Sequence, residues 1–234
     1  MSRSVMLITF LVLLLTLHAS AFAKTQQLGF YASARIGPGI AQTDDMDFND
    51  DVKTYSIASD DGTDVVPVVG LALGLDFYKS SEFPMRVEME YAHINDADFA
   101  WQDDIVWLGV SVDEQFEAEV SADTLLVSVY YDFHNASRFT PFVQAGLGLA
   151  ILKTKLHWIN DGFDMGTEKD TNVNFAANIG GGIGFALTEH LSLDTSYRFV
   201  YLGPAGVDND TPLPFETEAD VWRHDILLGL RYTF

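Results

Sequence analysis

The sequence predicts an all-β protein: an eight-stranded antiparallel up-and-down transmembrane β-barrel with three short periplasmic turns and four long extracellular loops. Three observations lead to this fold class. The 234 residues contain eight stretches in which apolar and polar residues alternate with a period of two. Short and long connections alternate between these stretches. The charges within the stretches lie on one face, and the opposite face is an uncharged apolar belt.

The composition excludes several classes of function. Hydrophobic residues make up 48% of the chain and charged residues only 20%, which is too apolar for a disordered chain. The formal net charge of −21 argues against a nucleic-acid partner, because phosphate binding needs concentrated Lys and Arg. The chain has no Cys, so thiol catalysis, Cys-ligated zinc and disulfides are excluded.

The first segment is predicted to direct export and then to be removed. Val5 to Leu17 is a nearly unbroken apolar run behind Arg3, and Ala21 to Ala23 form a small-x-small cleavage pattern. The run is shorter than the about 20 residues that a membrane helix needs. We therefore predict a signal peptide at 1–23 and one barrel domain at 24–234. The alternative is an N-terminal anchor helix.

Eight strands follow, each recognised by apolar residues at alternate positions. The first four run from Leu28 to Ile36, Val69 to Phe77, Met85 to Tyr91 and Leu125 to Phe133. The last four run from Val143 to Ile151, Phe175 to Phe185, Leu191 to Tyr201 and Trp222 to Phe234.

The connections place the two ends of the barrel. Three are short and are predicted as turns at Lys79–Phe83, His134–Phe139 and Thr188–His190. Four are long and are predicted as loops at Pro38–Asp64, Asn95–Asp123, Lys153–Thr171 and Pro204–Asp220. In the second loop, Ile105 to Val112 and Phe116 to Val120 alternate again, so we predict that this hairpin continues above the membrane.

The charged face of the strands is predicted to line the lumen. It carries Arg and carboxylates but no Lys, and it is crowded with Gly, as a narrow interior requires. The predicted lumenal charge network consists of Arg35, Asp76, Arg86, Glu88, Glu90, Asp132, Asp194, Arg198, Asp225 and Arg231. Arg223 shares this face. The alternative is a soluble ligand-carrying barrel with apolar residues inside and charges in water.

Aromatic residues gather at both ends of the predicted strands. Two such girdles mark the two interfaces of a transmembrane barrel. The turn end carries Phe30, Phe77, Tyr131, Phe133, Phe185, Tyr232 and Phe234, and the loop end carries Tyr91, Phe199, Tyr201 and Trp222.

The four long loops carry almost the whole charge imbalance. They hold 26 of the 34 acidic residues and only four Lys. Simple solvation of exposed loops explains this acidity, and a specific cation or receptor site is the alternative. Asp60 to Asp64 offer oxygen ligands for weak Ca²⁺ binding but lack EF-hand spacing.

At this point the chain resembles the eight-stranded outer-membrane β-barrel proteins of Gram-negative bacteria, within them the opacity-protein-like group of surface antigens. The segments that carry the likeness are Arg86–Tyr91, Tyr130–Phe133, Thr140–Gly148, Leu193–Phe199 and His224–Phe234. The resemblance implies roles in surface antigenicity, adhesion and envelope integrity. It also implies that the C-terminal residues Leu228, Leu230, Tyr232 and Phe234 are the signal read by the outer-membrane assembly machinery.

Catalytic and cofactor motifs are not recognised in the sequence. His93 and His224 fall at the loop ends of lipid-facing strands, where lipid-modifying barrels do their chemistry, but no Ser–acid pair accompanies them. There is no HExxH, and Gly180–Gly184 precedes no helix pattern. We therefore expect no catalytic residue, no metal site and no cofactor.

The predicted function is that of a monomeric, integral outer-membrane surface protein with a structural, antigenic or adhesin-like role. Because eight strands leave an interior just wide enough for side chains, we expect a plugged lumen. The runner-up is a narrow porin, and a lipid-modifying enzyme comes third. The expected partners are outer-membrane lipid and lipopolysaccharide, the assembly machinery, and an extracellular or host ligand at the loops.

Overall fold

The structure is a computed structural model that describes residues 29–50, 54–57, 59–107, 110–160, 162–209 and 215–234. The predicted signal peptide lies outside the described residues. The described chain forms eleven strands and one short helix: β1 (Gly29–Thr43), β2 (Met46–Asp50), β3 (Thr54–Ile57), β4 (Ser59–Asp61), β5 (Thr63–Asp76), α1 (Tyr78–Ser81), β6 (Met85–Trp107), β7 (Val110–Asp132), β8 (Phe139–Asn160), β9 (Phe163–Ala186), β10 (Leu191–Asn209) and β11 (Phe215–Thr233). Among these residues, no helix is long and apolar enough to cross a membrane.

Eight long strands close into an all-antiparallel barrel. β1 pairs with β5, each strand from β5 to β11 pairs with the next, and β11 pairs back with β1. The closing register runs from Tyr31 opposite Thr233 to Thr43 opposite Val221. The predicted fold class is confirmed. Closure pairs the edges of the sheet in the membrane, so the backbone needs no hydrogen bonds from lipid.

The strands continue well beyond the predicted belt. β6 and β7 stay paired up to Trp107 opposite Val110, which confirms the predicted continuation of that hairpin. β8 and β9 remain paired up to Asn160 opposite Phe163, where the sequence predicted a loop. We call residues 38–64, 95–123, 153–171 and 204–220 the extracellular extension. Within it, β2 pairs with the outer end of β11, and β4 pairs with β6.

The orientation of side chains in the barrel below the extension is the one that a membrane requires. Arg86 is 0% exposed, whereas Leu71 is 60% exposed and Leu228 is 50% exposed. Strand residues alternate between the two faces, so charges face the axis and apolar residues face outward. This arrangement excludes a soluble calyx, in which apolar residues would fill the centre.

The extracellular extension has the opposite arrangement. On β7, Glu117 and Glu119 face outward, and Phe116, Ala118 and Val120 face inward. Inward apolar residues of the extension and of the strand positions next to it form one buried cluster, which we call the upper apolar core; it includes Ala41, Met46, Phe99, Trp101, Phe116, Val120, Leu152, Leu156, Leu202, Val207 and Val221. The polarity inverts because the surroundings change from lipid to water, while the alternation of the strand continues unbroken.

Candidate functional site

The lumenal charges nearest the periplasmic turns form two ion pairs. Arg86 donates from Nε and Nη2 to both carboxylate oxygens of Asp132, at 2.7 and 2.8 Å. The Nε of Arg231 lies 3.1 Å from Asp194 Oδ2. The Arg86 guanidinium also lies over the Tyr130 ring, 4.5 Å from its centroid. Bidentate geometry and ring stacking suit Arg and would not be reproduced by Lys.

The next layer connects side chains of four strands, β1, β6, β7 and β10, across the interior. Arg35 on β1 donates to both oxygens of Glu88 on β6, at 2.6 and 2.7 Å. The Tyr130 hydroxyl donates to Glu88 Oε1 at 2.8 Å. Glu90 accepts hydrogen bonds from Arg35 and from Arg198 on β10. Since β6 and β10 are not neighbours in the barrel, the contact between Glu90 and Arg198 crosses the lumen.

The third layer lies toward the extracellular extension. Arg198 donates from Nε to Asp225 Oδ2 at 2.8 Å, and Arg223 donates to both oxygens of Asp225. Arg223 and Asp225 are both fully enclosed. Arg198 therefore joins this layer to Glu90 below it.

Nine of the ten predicted network residues lie in these layers, and Asp76 does not. Asp76 is half-exposed at the turn end of β5, where its Oδ1 accepts the backbone N–H of Tyr78 at 2.9 Å. Arg223 completes the network instead. The network then has five Arg and five carboxylates, so it is formally neutral. Neutrality matters because an uncompensated charge in this interior would be very costly.

Sequence reasoning missed the aromatic residues of the network. Tyr31, Tyr130 and Phe142 surround the Arg86 guanidinium, with centroids 4.5 to 5.9 Å from its central carbon. The alternation of residues places Tyr31 and Tyr130 on the charged face of their strands. This position could have identified them as members of the network. Such rings pack along the guanidinium and reduce the room for water beside it.

The predicted assembly residues lie on the outer face of β11 and at Phe234 directly after it. Leu228, Leu230, Tyr232 and Phe234 are all exposed there. The backbone N–H of Phe234 donates to the carbonyl of Phe30 at 2.9 Å, which ties the C-terminus to β1. Their role as an assembly signal stays a prediction.

The two histidines considered for lipid chemistry are occupied by other partners. His93 Nδ1 lies 2.8 Å from Asp123 Oδ1, and His224 Nδ1 lies 2.7 Å from the Tyr197 hydroxyl. No serine hydroxyl hydrogen-bonds to either ring among the described residues. Nor do the described residues contain a group of three or more acidic or His side chains placed to hold a metal ion. The side chains of Asp60 and Asp61 lie outside the described part of the chain.

A cleft of about 510 Å³ lies on the outer wall of the extension. Its outward-facing lining includes Asp98, Glu117, Glu119, Lys155 and Thr167. Lys155 Nζ donates to Glu119 Oε2 at 2.6 Å, and this hydrogen bond lowers the pKa of Glu119. Partial desolvation and the nearby carboxylates of Asp64 and Glu119 raise the pKa of Asp98. The outer wall of the extension at this cleft therefore carries more carboxylates than the single Lys155 can balance.

Comparisons with known proteins agree on one family and one fold. The family model of the outer membrane protein beta-barrel domain matches residues 9–234. The outer membrane protein PagN of Salmonella typhimurium strain LT2 is 31% identical over 171 residues, which cover 70% of this chain and 72% of PagN.

Solved structures support the same fold. The solid-state NMR structure of the outer membrane protein AlkL in lipid bilayers is 16% identical with a TM-score of 0.51, over 91% of this chain and 93% of AlkL. The crystal structure of OprG from Pseudomonas aeruginosa is 18% identical with a TM-score of 0.50, over 88% of this chain and 97% of OprG. At these identities the structures indicate the fold alone.

Proposed function

The chain belongs to the outer-membrane β-barrel family of Gram-negative bacteria, and from this membership we propose that it is a monomeric, non-enzymatic surface protein with a closed lumen and an adhesin-like extracellular extension. The observation that carries the proposal is the contact of Glu90 with Arg35 and Arg198, which joins three strands across the barrel interior. Because side chains that cross the barrel interior leave no path for a solute, we expect the protein to act through its outer surface.

The lumenal charge network supports a closed lumen. Its members are all buried or nearly so, and each Arg is paired with at least one carboxylate. A bidentate Arg–carboxylate pair in a low-dielectric interior is strong when both partners are present. Moving such a pair aside would expose two buried charges, so the network is expected to hold its position against a passing solute.

The upper apolar core supports closure at a second level. Phe99, Trp101, Leu156 and Val221 surround a void of only about 10 Å³, which is near the smallest volume that holds one water molecule. Water or an ion would have to enter a mostly apolar region, in which three Thr side chains supply the hydroxyl groups. Two barriers of different chemistry therefore lie in series along the axis, which disfavours the narrow porin.

The surroundings of the outward histidines support a non-enzymatic role. His93 and His224 contact an Asp and a Tyr, and neither lies against a serine nucleophile in the described part of the chain. Both lie at the predicted membrane interface, where His, Tyr and Asp also suit lipid headgroups. A nucleophile–base pair, which a lipid hydrolase requires, is not assembled around them.

The extracellular extension is the surface that remains for function. Its strands project beyond the apolar belt, and its outer wall carries a partly compensated set of carboxylates. The outward belt and the β11 residues are proposed to contact outer-membrane lipid, lipopolysaccharide and the assembly machinery. An extracellular or host ligand is proposed to bind the extension.

Shortening the extension tests this proposal. Replacing residues 97–120 by a tight turn removes paired residues from β6 and β7 equally and leaves the register below residue 94 intact. We expect such cells to lose binding to host matrix proteins while the barrel still folds and inserts. Unchanged binding after each of the four loops is shortened in turn would contradict the surface role. Altered lipid A in the mass spectra of cells that carry the protein would instead favour an enzyme.

A further inference from the structure

Lysines of the extracellular extension gather on one part of its outer wall. Three of the four Lys in the extension lie on two neighbouring strands. Lys153 and Lys155 lie two positions apart on β8 and share a face, and Lys169 on β9 is directly opposite Lys155. The side chain of Lys153 is 55% exposed and that of Lys155 is 44% exposed, and Lys169 is also exposed. We call these three residues the lysine patch.

The lysine patch begins where the apolar belt ends. On β8 the outward residues from Val143 to Ile151 are apolar, and the next outward residue is Lys153. On β9 the outward Val173 is 64% exposed, and the outward residues beyond it are Thr171 and Lys169. The outer end of the apolar belt of a transmembrane barrel lies at the lipid headgroups. The patch therefore faces the headgroups of the outer leaflet.

Carboxylates on β6 and β7 orient two of the lysines from one side. Lys153 Nζ donates to Asp123 Oδ2 at 3.0 Å, and Lys155 Nζ donates to Glu119 Oε2 at 2.6 Å. Asp96 Oδ2 also lies 3.7 Å from Lys155 Nζ. Because each ammonium group has three N–H donors, these contacts fix the position of the lysines without using all their donors.

The outer wall has a different charge on the side of β9. The alternate, inward-directed positions of β9 include Glu168 and Asp170, which are opposite Leu156 and Thr154 of β8. The outward positions from 151 to 157 and from 167 to 175, all of which the structure describes, carry no carboxylate. They are Ile151, Lys153, Lys155, His157, Thr167, Lys169, Thr171, Val173 and Phe175. An anion that approaches from this side meets ammonium and hydroxyl groups.

Two lysines of the patch repel each other. Lys155 and Lys169 are directly opposite, where Cβ atoms lie about 4.5–5.5 Å apart and like charges are destabilising. Glu119 offsets part of this repulsion, since the hydrogen bond from Lys155 and the charges of Lys155 and Lys169 lower the pKa of Glu119. A phosphate between the two ammonium groups would offset more of it. Lys153 is about 7 Å away along β8, within reach of the same phosphate through its flexible side chain.

We propose that Lys153, Lys155 and Lys169 bind a phosphate group of lipopolysaccharide in the outer leaflet, whose acyl chains lie against the apolar belt below. The proposal deepens the lipid contact that is part of the proposed function, because it names the residues and the headgroup chemistry. Lys binds phosphate as a point charge, and the acyl chains add apolar contact. Such a site would hold the barrel at the height at which the extension projects from the membrane.

The test uses the refolded full barrel in a maltoside detergent, which contains no phosphate, and purified lipid A as the probe. Native mass spectrometry measures the lipid A that is bound as its concentration rises. We expect lipid A to bind about tenfold more tightly than lipid A without its phosphate groups. Inorganic phosphate at the same concentration should not displace it, because inorganic phosphate lacks acyl chains. Equal binding of the two lipids, or displacement by inorganic phosphate, would overturn the proposal.

Two charge-matched variants separate a local site from the net charge of the protein. Lys169→Glu reverses one charge in the patch, and Lys79→Glu reverses one in α1 at the periplasmic end. The first should bind lipid A about tenfold more weakly, and the second should bind it about as the unmodified protein does. Lys169→Arg keeps the charge and should also bind normally. Equal binding by the two Glu variants would refute a site at the patch.

Solid-state NMR of the unmodified protein gives a second measurement that does not depend on how a variant folds. In bilayers of lipid A and a galactolipid, lipid A is the source of all the phosphorus. We expect dipolar coupling between its ³¹P nuclei and the ¹⁵Nζ nuclei of the three patch lysines, and no such coupling for Lys79. Absence of coupling at the patch would contradict the proposal. If shortening the extension still abolishes cell binding in that case, the surface role stands and the lysine site fails.

Discussion

Glu90 on β6 and Arg198 on β10 form an ion pair across the lumen, although 108 positions separate them in the sequence. Their strands lie on different sides of the barrel, so this contact cannot form until the sheet has curled toward closure. The same Glu90 carboxylate also binds Arg35, and Arg198 also binds Asp225. A single carboxylate therefore joins two layers of the interior.

Removing this carboxylate should destabilise the barrel strongly. Glu90→Ala leaves Arg35 and Arg198 buried with one counter-charge fewer, and breaking a buried pair in this way costs about 3–5 kcal/mol. Urea unfolding in detergent or lipid would measure the loss. Glu218→Ala, at an exposed position on β11, is the control and should change the free energy of unfolding by less than about 0.5 kcal/mol. Equal effects at the two positions would contradict the assigned importance of the network.

Two lumenal glycines on β5 should differ in their tolerance of a methyl group. A Cβ at Gly74 would lie 2.2 Å from Cζ of the buried Tyr31 ring, whereas a Cβ at Gly70 would meet its nearest atom at an ordinary 3.4 Å. Gly74→Ala is therefore expected to cost about 1–3 kcal/mol through overpacking. Gly70→Ala should be nearly neutral in the same unfolding experiment. The reverse order would mean that the Tyr31 ring is not fixed where the structure places it.

The sequence was sufficient for the membrane-spanning part because one physical rule governs it. In lipid, each strand must alternate apolar outward and polar inward, so Arg86, Glu88 and Asp225 could be assigned to the interior from period two alone. Asp76 followed the same alternation but lies at the strand end, where a turn N–H is the nearer partner. The alternation of residues does not show that a nearby turn N–H competes with the lumenal Arg residues for the Asp76 carboxylate.

The structure of the extracellular extension could be predicted only in part from the sequence, because water and not lipid surrounds it. The β6–β7 hairpin showed alternation, but β8–β9 carries polar residues on both faces near Asp164 and Lys169, which resembles a loop. The upper apolar core was missed because Ala118 and Val120 fall in a predicted loop and Leu152 lies just beyond the predicted fifth strand, where no inward face had been assigned. The pairing of β10 with β11 is irregular beside Gly203, whose φ of 78° is a backbone feature that the alternation of residues does not show.

The upper apolar core should stabilise the extension independently of the membrane. Phe116 is 0% exposed within it, and replacing a buried Phe by Ala typically costs about 3–5 kcal/mol. We expect Phe116→Ala to speed amide exchange over residues 97–107 and 110–120 while leaving the lumenal strands protected. Phe163→Ala, at an exposed position, should leave exchange in this hairpin unchanged. Protection that survives Phe116→Ala would show that the hairpin does not depend on this core.

On the acidic outer wall we expect one carboxyl group with a raised pKa and another with a lowered pKa. The hydrogen bond from Lys155 lowers the pKa of Glu119, so that contact contributes stability above the ordinary carboxyl range and loses it as pH falls through the lowered pKa. Partial desolvation and neighbouring carboxylates raise the pKa of Asp98, so protonation of Asp98 on acidification relieves repulsion. NMR titration of carboxyl carbons should place the pKa of Asp98 above the ordinary Asp value and the pKa of Glu119 below the ordinary Glu value. Lys155→Gln should return Glu119 toward its ordinary value, and failure to do so would remove Lys155 as the cause.

Planar-bilayer recording of the refolded protein tests the closed lumen most directly. With Glu90, Arg198 and the upper apolar core in place, we predict no stable, uniform conductance steps in symmetric salt. Heat-denatured protein in the same detergent is the control for leakage caused by the preparation. Reproducible steps of one size from the native barrel, absent from that control, would contradict the closed lumen and establish a pore.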